Sequence, residues 1–164
     1  MTTKMHLEDR YDADVETVYA LITDPDFMRR KYDALGGKDI SIDRSDTAGG
    51  CELTTRRTVT VDLPGFAKKV MQPSNTAVQT ESWSGADSDG RRVCNYHVEV
   101  QGLPSKITGT VVLSPDGGGT KQVIDADVKV SVPLLGGRLE KFGVETGKDD
   151  LGKQVEFTQR ELAG

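Results

Sequence analysis

From Met5 to Tyr11 apolar and polar positions alternate: Met5, Leu7, Asp9 and Tyr11 fall on one side, His6, Glu8 and Arg10 on the other. That predicts a first strand with one buried face. The period then lengthens. Val15, Val18, Tyr19 and Ile22 sit at i, i+3, i+4 and i+7 behind Asp12 and Asp14, either of which can cap the helix this spacing predicts. Asp24-Pro25 ends that helix and opens another, because proline suits a first turn but drives the residue before it out of helix. Met28, Tyr32 and Leu35 mark the inner face of the second helix. Arg29, Arg30 and Lys31 are expected to face solvent, and Gly36-Gly37 supplies the stop.

Between Lys38 and Val132 the period is two, punctuated by turn residues. Ile40 and Ile42 define strand two. Ala48-Gly49-Gly50 turns it into strand three, which sets Cys51, Leu53, Thr55, Arg57, Val59 and Val61 on one face. Pro64-Gly65 and Gln72-Pro73 bracket Phe66 to Met71, a short helix or a loop. Strand four runs from about Thr76 to Trp83, and Asp87-Ser88-Asp89-Gly90 is a hairpin signal. Strand five places Cys94, Tyr96, Val98 and Val100 opposite Asn95, His97 and Glu99. Strand six covers about Lys106 to Leu113, and strand seven sets Ile124, Ala126, Val128, Val130 and Val132 against Asp125, Asp127 and Lys129. After Pro133 the pattern turns helical, and a helix from about Gly137 to Leu162 would be roughly 39 Å long.

The order is thus one strand, two short helices, six strands and one long carboxy-terminal helix. It predicts an α+β fold in which an antiparallel meander of about seven strands lays its apolar face against the only element long enough to cover it. At 164 residues, with no repeat and no linker, positions 1–164 read as a single domain. The terminal helix carries two stripes, Leu135, Leu139 and Phe142 against Val144, Leu151, Val155 and Leu162, which switch at Gly143. One sheet cannot bury both under a straight helix, so the earlier stripe is expected at a cavity mouth, the first helices or a partner.

Composition adds a second expectation. Hydrophobic types make up 35% and the aromatics are only four Phe, four Tyr and one Trp, which leaves a lean or hollow core. The net charge of −5 repels phosphates and argues against nucleic acid or an anionic membrane as partner. No apolar run approaches the length of a membrane span, and the amino end lacks a secretory stretch, so a cytoplasmic location is expected. Two cysteines without C-x-x-C spacing, Cys51 and Cys94, are expected as small core residues. His6 and His97 fall on the polar strand faces, and no metal or other cofactor is expected.

Certain segments resemble the START-like (SRPBCC) superfamily, the group that includes Bet v 1-like and polyketide cyclase-like proteins. They are Thr23-Asp24-Pro25-Asp26-Phe27 through Leu35-Gly36, Trp83, Ile107-Thr108-Gly109-Thr110, and Val130-Ser131-Val132-Pro133-Leu134-Leu135-Gly136-Gly137-Arg138-Leu139-Glu140. The likeness is closest to a branch of unknown function and spans essentially the whole chain. It implies a helix-grip fold with a deep cavity between a curved sheet and the last helix. It carries no catalytic motif onto this sequence.

On that frame the cavity residues are expected to be Arg57, Val59, Phe66, Glu81, Trp83, Tyr96, Val98, Leu139 and Phe142. Arg57 lies on the apolar side of its strand, where an unpaired charge costs several kcal/mol, so it needs a carboxylate, a ligand or water. Glu81 is a candidate partner and Trp83 a candidate wall. The alternative is a bulge near Thr55-Arg56-Arg57 that returns Arg57 to solvent. Tyr96 is the candidate hydrogen-bond donor to a ligand.

The functional expectation is non-enzymatic binding or transport of a hydrophobic or amphipathic small molecule, lipid- or polyketide-like, by a monomer or weak homodimer. The alternatives are a cofactor-independent cyclase- or hydrolase-type enzyme, disfavoured by the missing inward histidine and paired carboxylates, and an interaction module with a filled cavity.

Overall fold

A computed structural model describes Thr2 to Gly164. The strands are β1 (Thr3–Tyr11), β2 (Lys38–Asp46), β3 (Cys51–Thr60), β4 (Ser74–Trp83), β5 (Arg92–Val100), β6 (Ser105–Asp116) and β7 (Gly119–Val130). The helices are α1 (Val15–Ile22), α2 (Pro25–Ala34) and α3 (Gly136–Ala163). All seven strands form one antiparallel sheet in the order β1-β7-β6-β5-β4-β3-β2, so every neighbouring pair except β1–β7 is consecutive in the chain, and β3 and β4 are joined by the longer segment 61–73. This is the helix-grip arrangement, with α3 laid across β1 and β7.

Local chemistry sets the element boundaries. The Asp14 carboxylate accepts from the Thr17 backbone N–H at 2.8 Å and caps α1. Pro25 opens α2, and Gly36, at φ 90°, reverses the chain after it in a conformation that glycine tolerates best. Between Pro64 and Pro73 the chain makes a single turn of 3-10 helix at Ala67–Lys69. Its Ala67 is fully buried against Leu139 and Val130.

The packing is uneven along the sheet. At one end α1, α2 and the last turns of α3 close a core around Val18, Met28, Leu53, Leu113, Trp83 and Val155. Cys51, Trp83 and Cys94 stand in register across three strands, and both cysteines are fully buried free thiols. At the other end Leu139 and Val130 meet the 63–71 loop in a small separate cluster. The two stripes of α3 divide between these regions: Leu139 packs at the loop end, while Val144 and Leu151 join Met5 and Ile124, and Val155 joins the core under α1 and α2. Glu140, buried at the start of the helix, accepts from Thr3 Oγ1 at 2.8 Å and from the Val130 N–H at 2.9 Å, which ties α3 to both strands beneath it.

Lys31 departs from expectation. It is not solvated with Arg29 and Arg30; only 6% of its surface is exposed. The reason is that α2 has two covered faces. Met28 and Tyr32 join the sheet-side core, while Phe27 packs on Phe157 of α3 with ring centroids 5.8 Å apart. Lys31, one turn after Phe27, follows it inside.

Candidate functional site

Three adjoining chambers lie between the sheet and α3. The first, about 430 Å³, is lined by Val59, Val61, Met71, Val100, Leu139 and Phe142, with Leu35 to Gly37 and Leu103 at its rim. The second, about 180 Å³, lies deeper, against Met5, Tyr96, Val98 and Val111. The third, about 90 Å³, ends among Lys31, Tyr32, Trp83, Gln122 and Thr158. Arg57, Ile107, Val128, Gly143, Gly147 and Asp150 border both the first and second chambers. Gln79, Glu81, Val111, Ile124, Leu151 and Gln154 border both the second and third.

The helix side of this passage is one line of residues. Gly143, Gly147, Asp150 and Gln154, at i, i+4, i+7 and i+11, trace a small and polar face between the two apolar stripes. A Cβ on Gly147 would stand 3.4 Å from Met5 Sδ, and one on Gly143 would stand 3.7 Å from Val128 Cγ1. Both are ordinary van der Waals distances, so a Cβ would fit at either position, and the two glycines leave the helix side of the passage bare. Nothing in the structure explains Gly152.

Arg57 faces inward. The β3–β4 pairing is continuous from Cys51 to Thr60, so no bulge turns the side chain out, and it is only 14% exposed. Its partner is not Glu81. The guanidinium lies 4.1 Å from the Tyr32 ring centre and 3.6 Å from Asp150 Oδ2, which comes from α3 rather than from the sheet. Glu81 instead accepts from Trp83 Nε1 and Gln79 Nε2, both at 3.1 Å. Burial pushes the Glu81 carboxyl above the usual range, against the pull of Trp83, Lys31 and Gln79.

The Lys31 ammonium makes no hydrogen bond or ion pair with the described residues. Its ammonium stands 5.1 Å from the Tyr32 ring centre and 5.7 Å from that of Phe27. Burial lowers it to about 8, with Arg57 adding to the fall and Glu81 and Asp150 opposing it. Tyr11, on the same chamber, is raised by burial and by Asp9, and donates a long 3.5 Å bond to Gln122 Oε1. The Tyr96 hydroxyl is buried without a hydrogen-bond partner among the described residues, and burial raises it to about 12.

Of the residues expected at the cavity, Val59, Leu139 and Phe142 line the first chamber, Tyr96 and Val98 the second, and Trp83 the third. Arg57 and Glu81 stand at the two junctions. Phe66 is on none of these walls. It lies under Arg138, whose guanidinium is 4.1 Å from the ring centre, because the turn at Ala67 directs Met71 and not Phe66 to the first chamber. Both histidines lie on the outer sheet surface: His6 pairs with Asp125 at 2.5 Å and Glu8 at 2.9 Å, and His97 with Glu99 at 3.0 Å. Pattern reasoning missed Lys31, Asp150, Gln154 and Gln122. The glycine-and-polar line on α3 was a readable signal for two of them; the burial of Lys31 depends on helix-to-helix packing that no local pattern carries.

A family model described as "Protein of unknown function (DUF2505)" matches residues 6–162. The chain belongs to this family. The chain is also similar to the uncharacterised protein Rv0481c of Mycobacterium tuberculosis, 25% identical over 142 residues, 80% of each chain. Among solved structures, TTHA0849 from Thermus thermophilus superposes with a TM-score of 0.66 at 18% identity, covering 98% of this chain and 97% of that one. The STAR-related lipid transfer protein fragment from Xanthomonas axonopodis gives 0.61 at 14% identity, over 97% and 85%. At such identities the likeness establishes the START-like fold of this DUF2505 member and nothing finer. Among the described residues no helix is long and apolar enough to cross a membrane.

Proposed function

We propose that the protein binds and carries a hydrophobic or amphipathic small molecule, of lipid or polyketide type, in the passage under α3. The supporting observation is the first chamber. About 430 Å³ of space walled mainly by Val, Leu, Met and Phe side chains falls within the range of small-molecule sites, and it narrows inward to a few polar groups rather than to packed side chains. Apolar walls provide affinity through burial, and the half-buried Arg57, Tyr96 and Glu81 fix orientation. A structural neighbour that is a lipid transfer protein fits this reading. Native mass spectrometry of the protein as purified, followed by titration of the delipidated protein with 1-octanol, tests it. A retained apolar molecule or saturable octanol binding is expected. Ligand-free protein that binds no apolar probe would overturn the proposal and leave an interaction module.

A further inference from the structure

The inner end of the passage differs from its mouth. Lys31 lines the third chamber, and its ammonium carries no hydrogen bond or ion pair with the described residues and is flanked by the Phe27 and Tyr32 rings. Glu81 borders the same chamber without touching it, fixed by Trp83 and Gln79. A buried amine needs a compensating partner, and this one faces open space beside a carboxyl group. A lysine desolvated in an apolar pocket is a recognised way to obtain a neutral, nucleophilic amine.

We propose that Lys31 bonds covalently, as an imine, to the carbonyl carbon of an apolar-chain aldehyde or ketone seated in the three chambers. This rests on the carrier reading above and names the ligand class. The Lys31 amine attacks the carbonyl carbon and forms the C–N bond. The carbonyl C–O bond then breaks, and its oxygen leaves as water with both amine hydrogens. Glu81 relays the proton that the departing oxygen needs. No oxidant or reductant takes part, and hydrolysis releases the ligand by the reverse path. The chain fills the first and second chambers, past Arg57, Gly143 and Gly147. The amine's position near 8 leaves it on the order of 300-fold more neutral at pH 7 than an ordinary lysine.

The full-length protein is incubated at pH 7 with octanal and cyanoborohydride, then digested, and octyl adducts are mapped over its eleven lysines. The α-amine, which titrates in the same range, is scored separately. The expected result is an adduct concentrated at Lys31, at least roughly tenfold above the mean of the other lysines and lost in Lys31→Met. Binding of 1-octanol, which cannot form an imine, is measured in parallel. If octanol binds but adducts spread over surface lysines with no excess at Lys31, the imine is refuted and the carrier reading stands. If neither probe binds, both fail. The wild-type map needs no variant to fold.

Discussion

Replacing Lys31 by Met should make the protein more stable, by an amount that depends on pH. Met has nearly the same length and needs no partner in the space that the lysine stem fills. Holding an amine at about 8 instead of 10.5 corresponds to about 3 kcal/mol against the folded state at pH 7. Two contacts are lost in exchange, the cation–π approaches to Phe27 and Tyr32 at 5.7 and 5.1 Å, worth about 0.5–1 kcal/mol each. Glu81 also loses an attractive charge and takes up a proton more readily. The net expectation is about 1–2 kcal/mol of added stability at pH 7, or about 3–6 °C in Tm for a chain of this size. The sign of the pH dependence follows from proton binding. Between about 8 and 10.5 the unfolded chain keeps a proton that the native protein has shed, so wild-type stability rises with pH across that window. Below it the full penalty applies. The advantage of the variant is therefore greatest at pH 7 and shrinks toward pH 10. Glu81 on β4, Arg57 on β3, Asp150 on α3 and the adjacent Tyr32 all face this site, so the quantity to measure is the difference between the two proteins. Urea unfolding followed by the fluorescence of Trp83, the one tryptophan and a buried one, at both pH values gives it. A variant less stable than wild type at pH 7, or a difference that does not change with pH, would refute the account of Lys31 as a buried, uncompensated amine.

Other expectations follow from the passage walls. Arg57→Leu should weaken a fatty acid roughly 10–100-fold, the scale of a lost charged hydrogen bond, while leaving the matching alcohol unchanged; equal loss for both in parallel calorimetric titrations would remove Arg57 from head-group recognition. Gly143→Leu should place a side chain between the first two chambers and reduce 1-octanol binding at least roughly tenfold, while helix propensity improves by nearly 1 kcal/mol; unchanged affinity would mean that the space by Val128 is not the binding space. The Pro64 to Pro73 segment should act as a gate. Its backbone is held mainly by one short turn with Lys68 and Lys69 exposed, so its amides should exchange faster than those of β5 and β6, and rates as slow as in those strands would contradict opening there.

The fold was legible because each element carried its own signal. The alternation in β1, the Asp14 cap, the Asp24-Pro25 break and the hairpin residues all act within a few positions of the structure they specify, and together they leave one topology. The inward direction of Arg57 was legible up to one uncertainty, a bulge, which continuous pairing with β4 removes. Its partner was not legible. On the sheet Glu81 was the near carboxylate, but Asp150 arrives from a helix more than ninety positions away, and no local pattern carries that pairing.

Lys31 shows the limit of pattern reading most clearly. On α2 alone it belongs to a run of three basic residues, and two of them do reach solvent. What buries the third is α3, which brings Phe157 against Phe27 and closes the side of α2 that Lys31 shares. A sequence selected only for stability would place an apolar residue at such a position, since the amine opposes folding over the whole neutral range. Keeping a charge-bearing group there, at the end of a passage lined by apolar walls and opposite a carboxyl group that is itself held by Trp83 and Gln79, is a local contradiction of the kind expected where a site does chemistry. The stability experiment and the trapping experiment therefore probe one arrangement from two sides. A Lys31→Met protein that gains stability and loses the adduct would tie the energetic cost of the buried amine to its reactivity. A protein that gains stability with no adduct in the wild type would leave a buried lysine whose cost has no chemical return.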